Sequence, residues 1–409
     1  MTKKILVISE TFRGGGLESQ VAGQARVLAS QGVDLVLATG SSADDVPDGI
    51  FVATITGVPM GSGVTFLELR ETIARLVAFA RSEGADAIHA HPFFSTLVGL
   101  FVAQQARLPL VLTLHGPLSV SGGLGSLPDL IFRSAALRCA SGVLCVSPEV
   151  QLLCKAAGSN DTLLLPNGVA LPTEDLVQAA DDAPWMWAGR IDDAKLVGLL
   201  DLIDRAKSLG RTLHVFGDGP AIEALRSRVE VEPAASFVRL CGWRSDLPNV
   251  MADYSIVAGM GRVLLEAAAR DKPCLLVGYD GVKGWLAEAQ LKEAAFWNLS
   301  GRGLPTLDDP SLAADLEGLA RHPERYRLRP WIAAHRDERA LWASYLDYVN
   351  TLPALESPLV QALLDAVRLR GLVDAPVWAD EELARLAEGL TGCPVLPESA
   401  ARPQNQAAI

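Results

Sequence analysis

Residues 185–195 read Trp-Met-Trp-Ala-Gly-Arg-Ile-Asp-Asp-Ala-Lys, and this stretch gives the strongest indication of the fold. The four apolar residues Trp185–Ala188 predict a short buried strand, and an amphipathic stretch typical of a helix starts at Leu196. Arg190 and Lys195 lie in the turn between them. Two cations at this place can converge on one diphosphate, because open α/β sheets bind ligands beyond the carboxyl ends of their strands. The alternative is a solvated surface pair.

The same alternation of apolar runs and helical stretches extends over most of the chain. It predicts two doubly wound α/β sheets of the Rossmann-like kind, facing each other across a cleft. The predicted strands of the first sheet are residues 5–8, 35–38, 87–89, 108–114, 142–146 and 162–165, with amphipathic helices including 17–30, 66–82 and 94–106. The predicted strands of the second are 185–188, 212–216, 237–240, 255–258 and 273–277, followed by a helix over 333–352.

The domain borders follow from where this rhythm is interrupted. An acidic, polar segment separates the two sheets, and polar, proline-bearing residues end the chain. We predict an N-terminal domain over 1–170, a linker over 171–183, a C-terminal domain over 184–330, a helix over 331–352 that packs back on the N-terminal domain, a helical extension over 353–397 and a disordered tail over 398–409.

Composition excludes several classes of protein. The 409 residues are 49% hydrophobic and carry a net charge of −12, and no basic segment suggests a nucleic-acid partner. No apolar run is long enough to span a bilayer. The six cysteines show no metal-ligand spacing, which suggests a reducing compartment. We expect a cytoplasmic protein, with peripheral contact at the inner face of the membrane as an alternative.

Glycines follow the first predicted strand. Residues 11–19 read Thr-Phe-Arg-Gly-Gly-Gly-Leu-Glu-Ser, and glycines at a helix N-terminus let an anion approach backbone amides. The pattern departs from the G-x-G-x-x-G of dinucleotide folds, and no acid ends the second strand. An NAD site is therefore a poor interpretation.

Histidines follow two further strands of the first half. His89-Ala90-His91 and His115-Gly116 would lie at one edge of a parallel sheet. Alternate histidines can ligate a metal, but the sequence offers no third ligand, and we predict no metal site.

The second half carries comparable loops. Residues 258–267 read Ala-Gly-Met-Gly-Arg-Val-Leu-Leu-Glu-Ala, in which the amides of a helix start and the guanidinium of Arg262 could act on one anion. Glu266, one turn further, either pairs with Arg262 or accepts hydrogen bonds from the vicinal hydroxyls of a ribose. Residues 216–220 form another glycine turn, and residues 278–284 would add the cation Lys283 to this edge.

Taken in order, these motifs resemble the GT-B glycosyltransferases of the large retaining family 4 over roughly residues 3–350. The matching pieces are Gly-Gly-Gly-Leu-Glu (14–18), His-Ala-His (89–91), Thr-Leu-His-Gly (113–116), Val-Ser-Pro-Glu (146–149), Pro-Asn-Gly-Val (166–169), Gly-Arg-x4-Lys (189–195), Gly-Asp-Gly-Pro (217–220) and Leu-Leu-Glu-Ala (264–267).

The resemblance implies transfer of a sugar from a nucleoside diphosphate to a hydroxyl, with retention and without a bound metal or permanent cofactor. It implies that the domain over 184–330 is the nucleotide-sugar-binding domain and that the domain over 1–170 is the acceptor-side domain. Arg190 and Lys195 would hold the diphosphate, His115 would lie near the transferred sugar, and Glu266 would hold the ribose. The remaining nucleotide-sugar contacts implied are Gly15, Gly16, Gly189, Gly219, Gly242 (near the base), Gly259, Gly261, Arg262 and Val263. A UDP-sugar is favoured over a GDP-sugar, because uridine donors are commoner in the family.

The acceptor would be a saccharide or a lipid-linked glycoconjugate, which suggests polysaccharide or glycoconjugate biosynthesis. The family commonly has a glutamate eight positions before Glu266, and this chain has Ala258 there. That departure supports a second hypothesis, a non-catalytic GT-B partner or sensor that binds nucleotide sugar. A sugar-nucleotide epimerase or a phosphorylase on the same fold ranks third.

Overall fold

The structure is a computed structural model in which the chain forms two compact units. It describes residues 3–12, 15–61, 63–121, 126–159, 161–174, 176, 178–230, 237–244, 246–372, 376 and 377. The first unit contains the described residues up to Pro166 and those from Leu341 onward, and the second unit runs from Asn167 to Ala340. The tail predicted over 398–409 lies outside the described residues, as does 378–397 of the predicted extension.

The first unit is built on a seven-stranded parallel sheet with strand order β3-β2-β1-β4-β5-β6-β7. Its strands are β1 (Lys3–Ser9), β2 (Val33–Thr39), β3 (Ala53–Ile55), β4 (Ala87–Ala90), β5 (Leu110–Leu114), β6 (Gly142–Cys145) and β7 (Thr162–Leu164). Strand β1 shows why the sequence is apolar throughout: Leu6 and Ile8 join the core on one face, and Ile5 and Val7 join the core on the other. A parallel strand covered on both faces has no side for polar residues.

Helices cover both faces of this sheet. They are α1 (Gly16–Ser30), α2 (Phe66–Glu83), α3 (Phe94–Ala106), α4 (Leu118–Ser121), α5 (Ser126–Ile131), α6 (Leu137–Cys139), α7 (Pro148–Ala156), α15 (Glu338–Thr351, shared with the end of the second unit) and α16 (Pro358–Arg370), with a π-turn at Phe132–Ala136 and a 3-10 turn at Ala43–Asp45. The expected amphipathic character of 94–106 is wrong, because every residue of α3 from Phe94 to Ala103 is buried. Helices α2 and α16 pack on the side of α3 that would otherwise face solvent.

The second unit has a six-stranded sheet with order β10-β9-β8-β11-β12-β13. Its strands are β8 (Trp185–Ala188), β9 (Leu213–Phe216), β10 (Val238–Gly242), β11 (Ile256–Gly259), β12 (Cys274–Val277) and β13 (Val282–Trp285). All pairings are parallel except that of β12 with β13, which is antiparallel. Strand β13 was not predicted, because its residues lie in a glycine-rich stretch that resembles a loop.

The helices of this unit follow its strands. They are α8 (Asp193–Ser208), α9 (Ile222–Glu230), α10 (Leu247–Val250), α11 (Arg262–Ala268), α12 (Glu288–Phe296), α13 (Asp309–Arg321) and α14 (Arg329–His335), with 3-10 turns at Met251–Asp253 and Pro323–Tyr326. The single helix predicted over 333–352 is two helices, α14 and α15, which are interrupted at Arg336 and Asp337. Val169 fills the interruption: its amide donates to the carbonyl of Arg336, and it forms a bridge with Asp337.

Candidate functional site

The turn after β8 presents the two predicted cations. Arg190 is exposed, and it makes no ion pair or hydrogen bond with the part of the chain that the structure describes. Asp192 caps α8 by accepting the backbone N–H of Lys195 at 3.1 Å. The same carboxylate lies 3.5 Å from Nζ of Lys195. Lys195 therefore lies in the first turn of α8, where its ammonium group and the backbone amides of the helix N-terminus can act on the same anion.

A neighbouring glycine turn locks this loop in place. The amides of Gly189 and Ile191 donate to the carbonyls of Phe216 and Asp218, at 3.0 and 2.9 Å. The loops then run so close together that a β-carbon at Gly217 would lie 1.9 Å from the carbonyl oxygen of Gly189. One at Gly219 would lie 2.2 Å from that of Ile191. Gly217 and Gly219 thus let this loop contact the backbone on either side of Arg190.

The loop after β10 continues the same edge. Gly242 has φ +71° and accepts the amide of Gly217 at 2.9 Å. The next residue, Trp243, is 58% exposed, and Arg244 pairs with Asp246 at 2.7 Å. The sequence motifs did not identify Trp243. The sequence nevertheless shows a tryptophan directly after Gly242, in the loop implied for the base.

The start of α11 is only partly available to a ligand. Gly259 and Gly261 have φ of +151° and +67°, a region that favours glycine. The amide of Gly261 already donates to the carbonyl of Leu299 at 2.8 Å. Val263 is buried in the core beneath the sheet.

Arg262 and Glu266 form an ion pair, which was one of the two interpretations of Glu266 from the sequence. Nε of Arg262 lies 2.8 Å from Oε1 of Glu266, with both side chains mostly buried. Nη1 of Arg262 also donates to the carbonyl of Gly168 at 2.9 Å. This guanidinium is therefore engaged within the unit, and its predicted contact with phosphate would have to add to these bonds or replace them.

Two further residues near this edge, Ala258 and Lys283, are buried. Ala258 lies within β11 and packs in the core cluster that contains Trp187. Lys283 was expected as a further cation for the ligand, and that expectation is wrong. It lies on β13, its side chain is 1% exposed, and it bonds Asp280 and the carbonyl of Leu304 at about the same distance of 2.8 Å.

The glycine loop of the first unit is described from Gly15 onward; Arg13 and Gly14 lie outside the described residues. Gly15 caps α1, which starts at Gly16. A β-carbon at Gly15 would lie 2.7 Å from a carboxylate oxygen of Glu18. That carboxylate in the first turn already supplies the negative charge that the helix N-terminus favours.

The predicted histidines form a stack of rings. Tyr345 on α15 stacks on His89 at 5.3 Å between ring centroids, His89 on His91 at 4.7 Å, and His91 on His115 at 5.3 Å. Nδ1 of His91 lies 3.0 Å from Nε2 of His115. We call these four rings the histidine stack. Tyr345 was missed because it lies more than 200 positions from the histidines in the sequence.

Hydrogen bonds hold the inner end of the histidine stack. The amide nitrogen of Gln24 lies 3.2 Å from Nδ1 of His89, and the hydroxyl of Tyr345 lies 3.1 Å from the same atom. An amide nitrogen only donates, so Nε2 of His89 carries the proton and bonds the hydroxyl of Thr113 at 2.7 Å. His89 is thereby held as a neutral ring.

Burial keeps the histidine stack uncharged. Desolvation lowers the pKa of His89 to about 3 and that of His115 to about 4, and it lowers the pKa of His91 well below the usual value. These rings can therefore donate and accept hydrogen bonds near neutral pH without bringing a positive charge. Among the described residues, no group of three or more His, Cys, Asp or Glu could hold a metal ion, and no helix could cross a membrane.

The chain has two α/β units, one with a parallel sheet and one with a mainly parallel sheet, and strand β8 of the second unit is followed by a turn that carries two cations. This architecture is that of the GT-B class of glycosyltransferase fold. Residues 14–171 match the family model Glycosyltransferase Family 4. The resemblance to a GT-B glycosyltransferase of family 4 is thus confirmed. A comparison with curated proteins finds no match.

Solved structures of the same fold cover most of the chain. Anabaena HepE in complex with UDP and glucose superposes with a TM-score of 0.65 and 19% identity, covering 86% of this chain and 100% of HepE. Sucrose-phosphate synthase from Thermosynechococcus elongatus gives 0.63 and 20%, covering 84% and 98%. A mutant of S. aureus TarM, in complex with UDP and saccharide ligands, gives 0.63 and 10%, covering 85% and 100%.

Proposed function

We propose that the protein transfers a sugar from a UDP-sugar to a hydroxyl acceptor, with retention and without a metal ion. The observation that carries the proposal is the turn after β8. There Arg190 is exposed without a partner among the described residues, beside Lys195 at the start of α8, on a backbone that Gly217 and Gly219 approach closely. HepE, which has the same fold, is known in complex with UDP-glucose.

In this mechanism the second unit holds the donor. Arg190 and Lys195 meet the charge that develops on the departing diphosphate, which is the step where preorganised cations lower the barrier most. Glu266 holds the ribose, and the loop at Gly242 lies beside the base. In the first unit His115 lies near the transferred sugar, as a neutral hydrogen-bonding ring.

The experiment that tests this proposal measures thermal stabilisation by UDP, GDP, ADP and NAD. A dissociation constant of ~10 μM would stabilise the protein by ~2.7 kcal/mol at ~1 mM nucleotide. We expect a shift with UDP that disappears in Arg190→Ala and persists in Arg226→Ala; Arg226 is an exposed arginine of the same unit that pairs with Glu223. In turnover, Arg190→Ala should lower kcat/KM on the order of 100-fold. Equal shifts in both variants would refute the assignment.

Ala258 favours a second candidate, a GT-B protein that binds nucleotide sugar without transfer. Its methyl group lies in the core, and no carboxylate stands at this place beside the proposed donor site. Prolonged incubation with UDP-sugars separates the two candidates. Slow release of UDP without an acceptor supports the transferase, whereas binding without release supports the sensor.

We favour a saccharide over a lipid-linked acceptor. Leu118 and Leu152 of the first unit are each 58% exposed. A lipid-linked acceptor or a membrane surface would contact these two leucines. Co-sedimentation with vesicles of phosphatidylglycerol and phosphatidylcholine tests that alternative. We expect the protein to stay in the supernatant; pelleting that is lost on Leu152→Ser would favour the lipid acceptor.

A further inference from the structure

Phe93, at the carboxyl end of β4, has a backbone conformation that a bulky residue rarely adopts. Its φ is +75° and its ψ is −137°, and its side chain is 42% exposed. Such conformations persist only where the surroundings enforce them, and they are concentrated at functional sites. A glycine would fit this backbone without strain. The chain instead presents an aromatic ring to solvent at this point.

Buried hydroxyls enforce the conformation. Oγ of Ser95 donates to the carbonyls of His91 and Pro92, at 2.8 and 3.0 Å. Oγ1 and the amide of Thr96 both donate to the carbonyl of Phe93, at 2.7 and 3.0 Å. Ser95 and Thr96 are both fully buried, and their hydrogen bonds hold the backbone of the turn that carries Phe93.

A carboxylate lies beside this turn. Oε2 of Glu10 accepts the amide of Phe94 at 3.2 Å. Strands β1 and β4 are neighbours, with Ile8 opposite Ala90, so Glu10 and Phe93 lie at the same edge of the sheet. Within the described ranges no lysine or arginine forms an ion pair with Glu10.

Glycines let two other segments of the first unit approach Glu10 closely. A β-carbon at Gly61 would lie 2.9 Å from Oε1 of Glu10, and one at Gly40 would lie 2.8 Å from its carbonyl oxygen. Partial burial raises the pKa of the Glu10 carboxyl, and the hydrogen bond from Phe94 opposes that shift. A half-desolvated carboxylate with one oxygen engaged is a strong acceptor for a hydroxyl donor.

We propose that Phe93 and Glu10 form a subsite for the acceptor sugar, which takes a pyranose ring with free neighbouring hydroxyls. The C–H groups of one face of the ring pack on Phe93, and a hydroxyl donates to Glu10. This inference rests on the proposed function, since it names the acceptor class for the first unit. An apolar lipid chain would fit Phe93 but would offer no donor to Oε1 of this half-buried carboxylate, which is costly.

Saturation-transfer NMR with methyl glucoside, methyl galactoside and methyl N-acetylglucosaminide tests the subsite. We expect at least one of these probes to bind the wild type and to lose on the order of tenfold in affinity in Phe93→Leu and in Glu10→Gln. Leu369→Ala and Glu71→Gln, at exposed positions of α16 and α2, are the matched controls and should bind like the wild type.

The outcomes separate this inference from the donor proposal. Saccharide binding that is equal in Phe93→Leu, Glu10→Gln and the wild type would overturn the subsite, because the sugar would then be held elsewhere. Absence of any saccharide binding by a wild type that still binds UDP would overturn the subsite alone. Absence of a UDP shift in the wild type would overturn the donor proposal, whatever the saccharides do.

Discussion

At the scale of single residues, the position of Arg190 depends on Gly217, for which no ligand contact is proposed. Gly217 has φ +145°, and a β-carbon there would overlap the carbonyl oxygen of Gly189 at 1.9 Å. We expect Gly217→Ala to lower the free energy of unfolding by roughly 2–4 kcal/mol, because the two loops must separate. Urea denaturation followed by tryptophan fluorescence measures this change. UDP binding should be lost with it, since the turn that carries Arg190 moves.

The control for Gly217→Ala is Gly210→Ala. Gly210 also has a positive φ, +63°, but a β-carbon there would meet nothing within 4 Å. Its substitution should cost only the left-handed backbone, roughly 1 kcal/mol, and should leave UDP binding intact. Equal losses for the two variants would mean that backbone strain, and not the approach of the two loops, sets the cost.

At the scale of elements, α16 completes the first unit by covering α2 and α3. Leu364 on its inner face is buried in the core, whereas Leu369 is 70% exposed. We expect Leu364→Ala to destabilise the protein by ~2–4 kcal/mol and Leu369→Ala to change stability by no more than ~0.5 kcal/mol. Thermal melting of the two variants gives the comparison. Similar melting temperatures would mean that the helix is not part of the cooperative core.

The sequence predicts elements well where each pattern is local. The apolar runs locate strands such as β1 and β8, and the glycines and cations after them locate the loops. The features that the sequence could not predict depend on contacts between different segments of the chain. Strand β13 exists because it pairs with β12, and Lys283 is buried as a result.

The same limit applies to the candidate site. The motif shows Arg262 and Glu266 four apart, but only the fold brings the carbonyl of Gly168 to that guanidinium. Spacing could not predict that the ring of Tyr345 packs on His89, because α15 follows the whole second sheet in the chain. Residue types and local order are readable from sequence, whereas the use of each donor and acceptor is not.

At the scale of the whole molecule, the two units should respond to different agents. The three stacked histidines His89, His91 and His115 all lie in the first unit, whereas the residues proposed to bind the UDP part of the donor lie in the second. The pKa of His89 is lowered to about 3 and that of His115 to about 4, against 6.5 in the unfolded chain. Between pH 6.5 and about 4 the unfolded chain therefore binds protons that the folded unit does not, and stability is lost as pH falls.

Calorimetry at a series of pH values checks this division. We expect the transition of the first unit to move to lower temperature as pH falls from 6.5 to 4, while UDP raises only the transition of the second unit. His89→Gln should flatten the pH dependence of the first transition, although it also loses the bond to Thr113 and melts earlier. His214→Gln is the control: this half-buried histidine of the second unit also has a lowered pKa, so its loss should leave the first transition unchanged. A pH dependence that is the same in His89→Gln and the wild type would show that groups other than His89 cause the loss of stability in acid.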